Sequence, residues 1–314
     1  MDLNQRALRS CLPVLEDPGR FRTAVVNDAS GTRIVDCGVR AEGGLAAGIC
    51  LAETCMAGLG RIAMESGDRT IWSGPWISVS TDHPVAACMA AQYAGWRVAD
   101  NDYFAMGSGP MRAAAGREDL FDRIGMRERP AAAVGVLECA AYPPATVCRQ
   151  VADQCGVSPT DLLLLVARTA STAGCLQVVA RSIETALHQL LELDFDLQRV
   201  VSGWGVAPLP PVARDDLAAI GRTNDAILYG THVTLWVHGD DDTLEKVGAR
   251  IPSTASPDHG QPFAAIFQAY DHDFYRIDPA LFSPARIQLI NVDTGRSMQF
   301  GHFEPDVLRR SFSG

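Results

Sequence analysis

The sequence has almost no lysine and lacks the short motifs that assign a nucleotide site. Among its 27 basic residues, Lys246 is the only lysine. Neither the phosphate-binding loop GxxxxGK[ST] nor the dinucleotide pattern GxGxxG occurs, so nothing supports an ATP or NAD site. The net charge is −10, which argues against a general nucleic-acid binder because neutralising phosphates needs a basic surface. Any anionic ligand must therefore be held by arginine, histidine or backbone amides.

The nine cysteines contain no CxxC pair, which weakens both a zinc and a dithiol interpretation. Most lie among alanine, valine and leucine, so we expect buried, reduced thiols. The N-terminus has no secretory pattern, and the most apolar window, 162–180, is interrupted by Arg168. These absences predict a soluble, cytoplasmic protein with no membrane partner, no nucleic-acid partner and no metal.

Apolar and polar residues alternate in a way that predicts an α/β (mixed α+β) fold. Two short β-type runs at 23–26 and 32–35 predict a hairpin, and 132–138 and 231–238 predict further strands. A single long helix is predicted over 173–191.

The length of 314 residues favours two domains. The glycine- and proline-rich segment GWGVAPLPP at 203–211 is the best candidate for the linker. We therefore expect an N-terminal α/β domain over 1–202 and a C-terminal α/β domain over 203–314, with an approximate boundary that allows for discontinuity.

The segment RSIE at 181–184 is the most informative one for chemistry. Within the predicted helix, Arg181 and Glu184 are three positions apart and face the same side. An isolated RxxE is most often a surface ion pair. The strongly apolar residues on both sides favour burial of this pair instead, where each charge must be satisfied by the other or by a ligand.

A glycine-rich turn between a predicted strand and a predicted helix is a candidate anion site. Gly107, Ser108 and Gly109 would let backbone N–H groups approach a phosphate. Arg112 would then form a forked contact with its oxygens. A turn that needs glycine only for its own conformation is equally consistent with the sequence.

The segment STDHP has the residue types of a serine hydrolase triad. Sequence neighbours rarely reach that geometry, and no GxSxG elbow surrounds the serine. The better interpretation is a helix start whose polar side chains line a pocket rim. The residues concerned are Ser80, Thr81, Asp82 and His83.

The remaining histidines offer no metal-ligand spacing. His232 and His238 share one face of a predicted strand, while the pair at 258–259 and the run of three at 271–273 are dispersed. A hydrogen-bonded structural role is the more common one for each histidine.

Several ordered blocks resemble the methenyltetrahydromethanopterin cyclohydrolases of methanogenic archaea and formaldehyde-oxidising bacteria. The blocks are GVRAEGGLAAGICLAETCMAGLG (38–60), STDHPVAACMAA (80–91), AMGSGPMRAAA (105–115), RSIETAL (181–187), LYGTHVTLWV (228–237), PSTASPDHGQPF (252–263) and FYRIDPALFSP (274–284).

The resemblance implies reversible hydrolysis of 5,10-methenyltetrahydromethanopterin to its 5-formyl form, in two α/β domains with a deep pocket between them. It also implies a homo-oligomer, usually a trimer. The pterin is the one-carbon carrier and substrate, and no cofactor is expected. The family's catalytic pair falls on Arg181 and Glu184. Thr231 and His232 join the residues of segments 80–83 and 107–112 as candidate substrate contacts. Relatives carry lysine after the GSGP turn, so the arginines here put any lysine-based anion contact in doubt.

The reaction fits these residues chemically. A methenyl bridge is a delocalised cation whose carbon is already electrophilic, so it needs an oriented water and a base. Such base assistance contributes about 10²–10⁴-fold. Glu184 is the predicted base, and Arg181 would keep it ionised or bind the emerging formyl oxygen.

Three alternatives stay open. The first is an enzyme of the same fold that acts on tetrahydrofolate. The second is a non-catalytic pterin- or phosphate-binding module. The third is a serine hydrolase in which Ser80 or Ser108 is activated.

Overall fold

The computed structural model describes residues 1–313. Over these residues the chain forms twelve β-strands, twelve α-helices and one π-helix, Val85–Gln92. The strands are β1 Ala24–Asn27, β2 Arg33–Gly38, β3 Arg61–Ser66, β4 Pro75–Thr81, β5 Trp96–Asp100, β6 Tyr103–Ser108, β7 Ala133–Cys139, β8 Leu162–Ala167, β9 Val200–Pro208, β10 His232–Val237, β11 Arg286–Asn291 and β12 Ser297–Gly301. The α-helices are α1 Leu3–Ser10, α2 Leu12–Glu16, α3 Leu45–Cys55, α4 Met111–Ala115, α5 Leu120–Ile124, α6 Ala145–Cys155, α7 Thr172–Val179, α8 Ser182–Glu192, α9 Asp216–Gly230, α10 Asp241–Gly248, α11 Phe263–Ala269 and α12 Pro305–Ser313.

Two compact units divide the chain, and both are discontinuous in sequence. Unit 1 comprises 1–61 and 86–178, while unit 2 comprises 62–85 and the chain from 179 onward. Each unit contains one six-stranded sheet, so the expected mixed α+β class is confirmed. Two segments that the sequence analysis placed in the N-terminal domain, 62–85 and 179–202, lie in unit 2 instead.

The sheet of unit 1 has the order β1-β2-β8-β7-β6-β5. Strands β2, β8 and β7 run parallel, and the pair β1–β2 is the predicted antiparallel hairpin. Alternate residues of the strands enter two separate apolar clusters, one with α1 and α3 and the other with α4 and α6. This alternation buries both faces of the sheet and makes a three-layered unit.

The sheet of unit 2 has the order β12-β11-β10-β9-β4-β3, and β10 and β11 are its parallel pair. The segment predicted as a linker forms β9 in the middle of this sheet, so that prediction is wrong. Its glycines serve close packing: a Cβ on Gly203 would lie 2.9 Å from Ile183 Cγ2, and one on Gly205 would lie 2.3 Å from Ser182 Oγ. Glycine here allows a helix to approach the strand backbone.

The single helix predicted over 173–191 is also wrong, because the chain leaves helical geometry between α7 and α8. Arg181 occupies the N-cap position of α8, with φ −87° and ψ 11°. The chain passes from unit 1 to unit 2 just before this break, after Val178.

Among residues 1–313, no helix combines the length and apolar character needed to cross a membrane.

Candidate active site

The start of α8 holds the two residues that the sequence singled out. Arg181 is 8% exposed and Glu184 is 5% exposed, so the predicted burial of both charges is confirmed. They do not lie within one helix as expected: Arg181 is the N-cap residue and Glu184 lies in the first turn. The first turn of a helix carries partial positive charge from its unpaired N–H groups. Glu184 therefore sits where the backbone favours an ionised carboxylate.

The glycines of β9 allow this placement. Ser182 and Ile183 pack directly over Gly205 and Gly203, so the first turn of α8 lies flush against the sheet. Further along α8, Ala186, Leu187 and Leu190 are buried on the same side. The helix start is thus held rigidly, which is what a positioned catalytic group requires.

The segment 80–83 does not form a serine hydrolase relay in the contacts that the structure gives it. The carboxylate of Asp82 accepts a hydrogen bond from Ser202 Oγ at 2.8 Å. The hydroxyl of Thr81 accepts one from the His83 backbone N–H at 3.0 Å. Ser80, Asp82 and His83 are exposed, whereas Thr81 is buried, which agrees with polar side chains at a strand end.

Thr231 and His232 both use their side chains internally. The hydroxyl of Thr231 donates to Ala226 O at 3.1 Å. Arg286 Nε donates to His232 Nδ1 at 2.9 Å, and burial, with Arg286 close by, lowers the pKa of His232 to about 4. The imidazole is therefore neutral near pH 7 and acts as an acceptor that orients Arg286.

Arg286 is a candidate that the sequence analysis missed. Its guanidinium lies over the Phe303 ring, 4.2 Å from the centroid, in addition to its bond to His232. The signal was visible in principle, since Arg286 lies two residues after the recognised block 274–284. Only the pairing of β10 with β11, which puts His232 opposite Arg286, brings the two side chains together.

The GSGP turn is tightly packed, which favours a structural role over the predicted anion cradle. Gly109 has φ +89°, and the carbon of an added side chain would contact the backbone of β7 at 3.3–3.5 Å. Its N–H donates to Ala91 O at 2.8 Å. Ser108 is buried, with its Oγ 3.3 Å from Cys55 Sγ, so it is not presented as a nucleophile.

Arg112 is buried within unit 1, only 1% exposed. Its Nε donates to Glu118 Oε1 at 2.9 Å, a second nitrogen pairs with Glu118 Oε2, and the third donates to Met89 O at 2.9 Å. The guanidinium also lies over the Tyr93 ring. These partners use the guanidinium N–H groups that the sequence analysis expected to bind an anion. The structure therefore favours a structural role for Arg112.

The carboxyl ends of the parallel strands in unit 1 carry polar groups that the sequence analysis did not identify. In open α/β sheets this edge is the usual place for a ligand. Asp36 accepts backbone hydrogen bonds from each residue of 38–41 at 2.6–2.9 Å, and one from Tyr142 Oη at 2.7 Å. Burial acts to raise its pKa, but these hydrogen bonds lower the pKa of Asp36 below its ordinary value. The fixed loop presents exposed Arg40, whose guanidinium lies 4.3 Å from the Tyr142 ring centroid.

Glu138 lies at the same edge, near the end of β7. It accepts hydrogen bonds from Thr169 Oγ1 and, at 3.3 Å, from Gln177 Nε2. Thr169 and Gln177 are buried, so this carboxylate is held in one orientation. No sequence motif marked it; the parallel strand order is what places it at a ligand-binding edge.

The fold and these groups define a class of protein. The chain is mixed α/β, buries a guanidinium and a carboxylate at one helix start, and orients further charged groups at a strand edge. These are features of an enzyme that works by proton transfer on a small charged molecule.

Comparison with known proteins identifies the family. A family model described as "Cyclohydrolase (MCH)" matches residues 2–312, and the chain belongs to this cyclohydrolase family. A protein of Rhodopirellula baltica named methenyltetrahydromethanopterin cyclohydrolase is 46% identical over 288 residues, 90% of this chain and 86% of that protein. One of the same name from Xanthobacter autotrophicus is 45% identical over 318 residues, 99% of this chain and 94% of its own. Another from Methanosarcina mazei is 38% identical and covers 93% of this chain and 92% of its own. The family expected from the sequence blocks is confirmed.

Proposed function

We propose that this protein reversibly hydrolyses the methenyl bridge of 5,10-methenyltetrahydromethanopterin to give 5-formyltetrahydromethanopterin. The observation that carries the proposal is the burial of Arg181 and Glu184 at the start of α8, in a chain whose relatives bear that name. A buried carboxylate at a helix start is suited to hold a water next to a cationic substrate.

Glu184 is the proposed general base. The methenyl carbon carries delocalised positive charge, which the carboxylate stabilises through space while it orients and deprotonates the attacking water. The partial positive charge of the helix start stabilises negative charge on this carboxylate. Proton transfer from water to Glu184 then yields a neutral adduct with a hydroxyl group on the former methenyl carbon. Its collapse breaks the bond from that carbon to N10: the hydroxyl loses its proton as the formyl C=O forms, N10 gains one, and Glu184 returns its proton to solvent.

Arg181 is the proposed partner of the oxygen that develops on the former methenyl carbon. A guanidinium is permanently charged and offers several donors in a fixed plane, so it stabilises an oxygen that gains electron density in the transition state. This step requires no resident cofactor, because the substrate supplies its own electrophile.

Direct substrate contacts are proposed for Ser80, Asp82 and His83, whose side chains are exposed. The exposed Arg40, whose loop Asp36 and Tyr142 hold in place, is proposed to bind an anion. The buried members of the predicted set are proposed to act structurally, each within its own unit. They are Gly107, Ser108, Gly109, Arg112, Thr81, Thr231 and His232.

A spectroscopic assay tests the proposal. Purified protein is added to methenyltetrahydromethanopterin, and loss of the methenyl absorbance is followed with methenyltetrahydrofolate as the parallel substrate. We expect rapid loss with the methanopterin and a much slower one with the folate. Equal rates would support the folate alternative. No loss with either substrate, from protein that binds the pterin, would leave a non-catalytic binding module.

A homotrimer in the cytoplasm is proposed from the family resemblance. Light scattering coupled to size exclusion should then give three times the chain mass of 33.7 kDa, and a monomer or dimer would refute the trimer.

A further inference from the structure

Two histidines and a glutamate meet in unit 2, and the proposed hydrolysis uses none of the three. His259, His302 and Glu304 each offer one ligand atom, and these atoms all lie within 4.8 Å of one another. His302 Nε2 lies 3.0 Å from Glu304 Oε1, and His259 Nε2 lies 3.9 Å from the same oxygen. A tetrahedral ion with bonds of about 2.0–2.2 Å needs its ligand atoms roughly 3.3–3.6 Å apart, a value between these two distances.

The hydrogen bonds of His259 fix which of its nitrogens carries the proton. Ser253 Oγ donates to Leu228 O at 2.6 Å, so its single hydrogen is already in use. The same oxygen lies 3.2 Å from His259 Nδ1 and therefore accepts the Nδ1 proton. In the neutral ring this leaves Nε2 with a bare lone pair.

That bare nitrogen faces a carboxylate. His259 Nε2 is buried and has no hydrogen-bond partner, and Glu304 Oε1 lies 3.9 Å from it. A lone pair directed at a carboxylate is unfavourable unless a cation lies between them.

The surrounding residues hold the three ligands in place. Tyr229 is fully buried, and its ring lies 5.0 Å from that of His259. Its hydroxyl donates to Gln261 O, and its backbone carbonyl accepts from the Glu304 N–H at 2.9 Å. One residue thus anchors both segments that carry ligands.

We propose that His259, His302 and Glu304 bind a divalent first-row transition metal of the zinc type. Two imidazoles and one carboxylate are the donor set for such an ion, and the hydrogen bond from His259 Nδ1 to Ser253 Oγ fixes the tautomer, as outer-shell contacts of metal-ligating histidines do. The fourth position is left for water or an external ligand. The ion joins the 253–262 segment to the chain before α12, and the proposed hydrolysis does not use it.

Cobalt titration of the full-length, chelator-stripped protein tests the site. We expect one Co²⁺ per chain, detected by visible d–d absorption, and its displacement by one equivalent of Zn²⁺, which binds such sites more tightly than Co²⁺. His302 has a largely exposed side chain, so His302→Ala should fold normally and lose the signal. His238→Ala removes another exposed histidine with a carboxylate partner, Asp293, and should keep the signal.

An outer-shell variant tests the tautomer argument. Ser253→Ala should weaken Co²⁺ affinity by about 10–100-fold while the stoichiometry stays at one. The proposal is overturned if the wild-type protein binds no Co²⁺, if His302→Ala binds it as tightly as wild type, or if His238→Ala abolishes binding. All readouts are independent of methenyl hydrolysis, so a failure of the metal-site proposal can be distinguished from a failure of the proposed function.

Discussion

Replacing Glu184 with glutamine separates chemistry from structure at the start of α8. The substitution keeps the shape of the side chain and removes its negative charge. Because Glu184 is 5% exposed, an amide of the same size refills its space without a cavity. The variant retains a group that can hold water but cannot accept its proton.

The two expected effects differ greatly in size. Loss of a positioned base costs about 10²–10⁴-fold in kcat, which corresponds to roughly 2.7–5.4 kcal/mol of transition-state stabilisation. Loss of the charge from the first turn of α8 costs only about 0.3–1 kcal/mol of folding stability. At roughly 2–4 °C per kcal/mol, the melting temperature should fall by a few degrees at most.

The measurement is a set of initial rates of methenyl hydrolysis across substrate concentrations, together with thermal unfolding. The matched control is Glu192→Gln, at the far end of the same helix, where the side chain is 47% exposed. We expect Glu184→Gln to keep KM within a few-fold and lose kcat, with the control unchanged in both. A Glu184→Gln enzyme with at least a tenth of wild-type kcat would refute the assignment of Glu184 as the base.

Three further substitutions test the rest of the description. Gly205→Ala should destabilise the protein, because its new methyl group would lie 2.3 Å from Ser182 Oγ; thermal unfolding measures this, with Gly19→Ala as the control at a site with no contact under 3.6 Å. Arg112→Met should lower the melting temperature yet leave KM for the full carrier unchanged; a raised KM with normal stability would restore the anion site there. Burial raises the pKa of Asp225 to about 7, so the folded state binds an extra proton between pH 4 and 7 and loses about 1.4 kcal/mol of stability per pH unit as the pH rises. Asp225→Asn should therefore gain stability relative to wild type as the pH rises across that range, which denaturant titrations measure. A difference in unfolding free energy between the two proteins that does not change with pH would contradict the raised pKa of Asp225.

Part of the candidate site could be predicted from local sequence. The apolar residues on both sides of RSIE were enough to predict that Arg181 and Glu184 are buried, since a strongly apolar helix is packed on most of its faces. The break before α8 could not be predicted, because 173–191 has continuous helical character and only the passage of the chain into unit 2 interrupts it. The triad-like segment 80–83 was also assigned to a helix start rather than to a nucleophile, and the π-helix Val85–Gln92 begins two residues after it. Its printed contacts form no serine hydrolase relay.

Glycine was the residue most often misjudged. In GWGVAPLPP it predicted a linker, and in GSGP it predicted an anion cradle. In both places the structure uses it for close packing, against α8 in the first case and against β7 in the second. A missing side chain permits flexibility, phosphate binding and close approach alike, and only the neighbouring elements determine which of these applies.

Ordered blocks and local patterns of polarity were enough to predict the family, the mixed α+β class and the burial of the charged pair. The folded chain then brings distant groups together. Arg112, a predicted ligand contact, forms an internal ion pair with Glu118. Arg286 lies beside His232, and His259 lies near His302 and Glu304. Such pairs depend on strand order and loop closure, which join residues far apart in the chain and leave no periodic signal in the sequence.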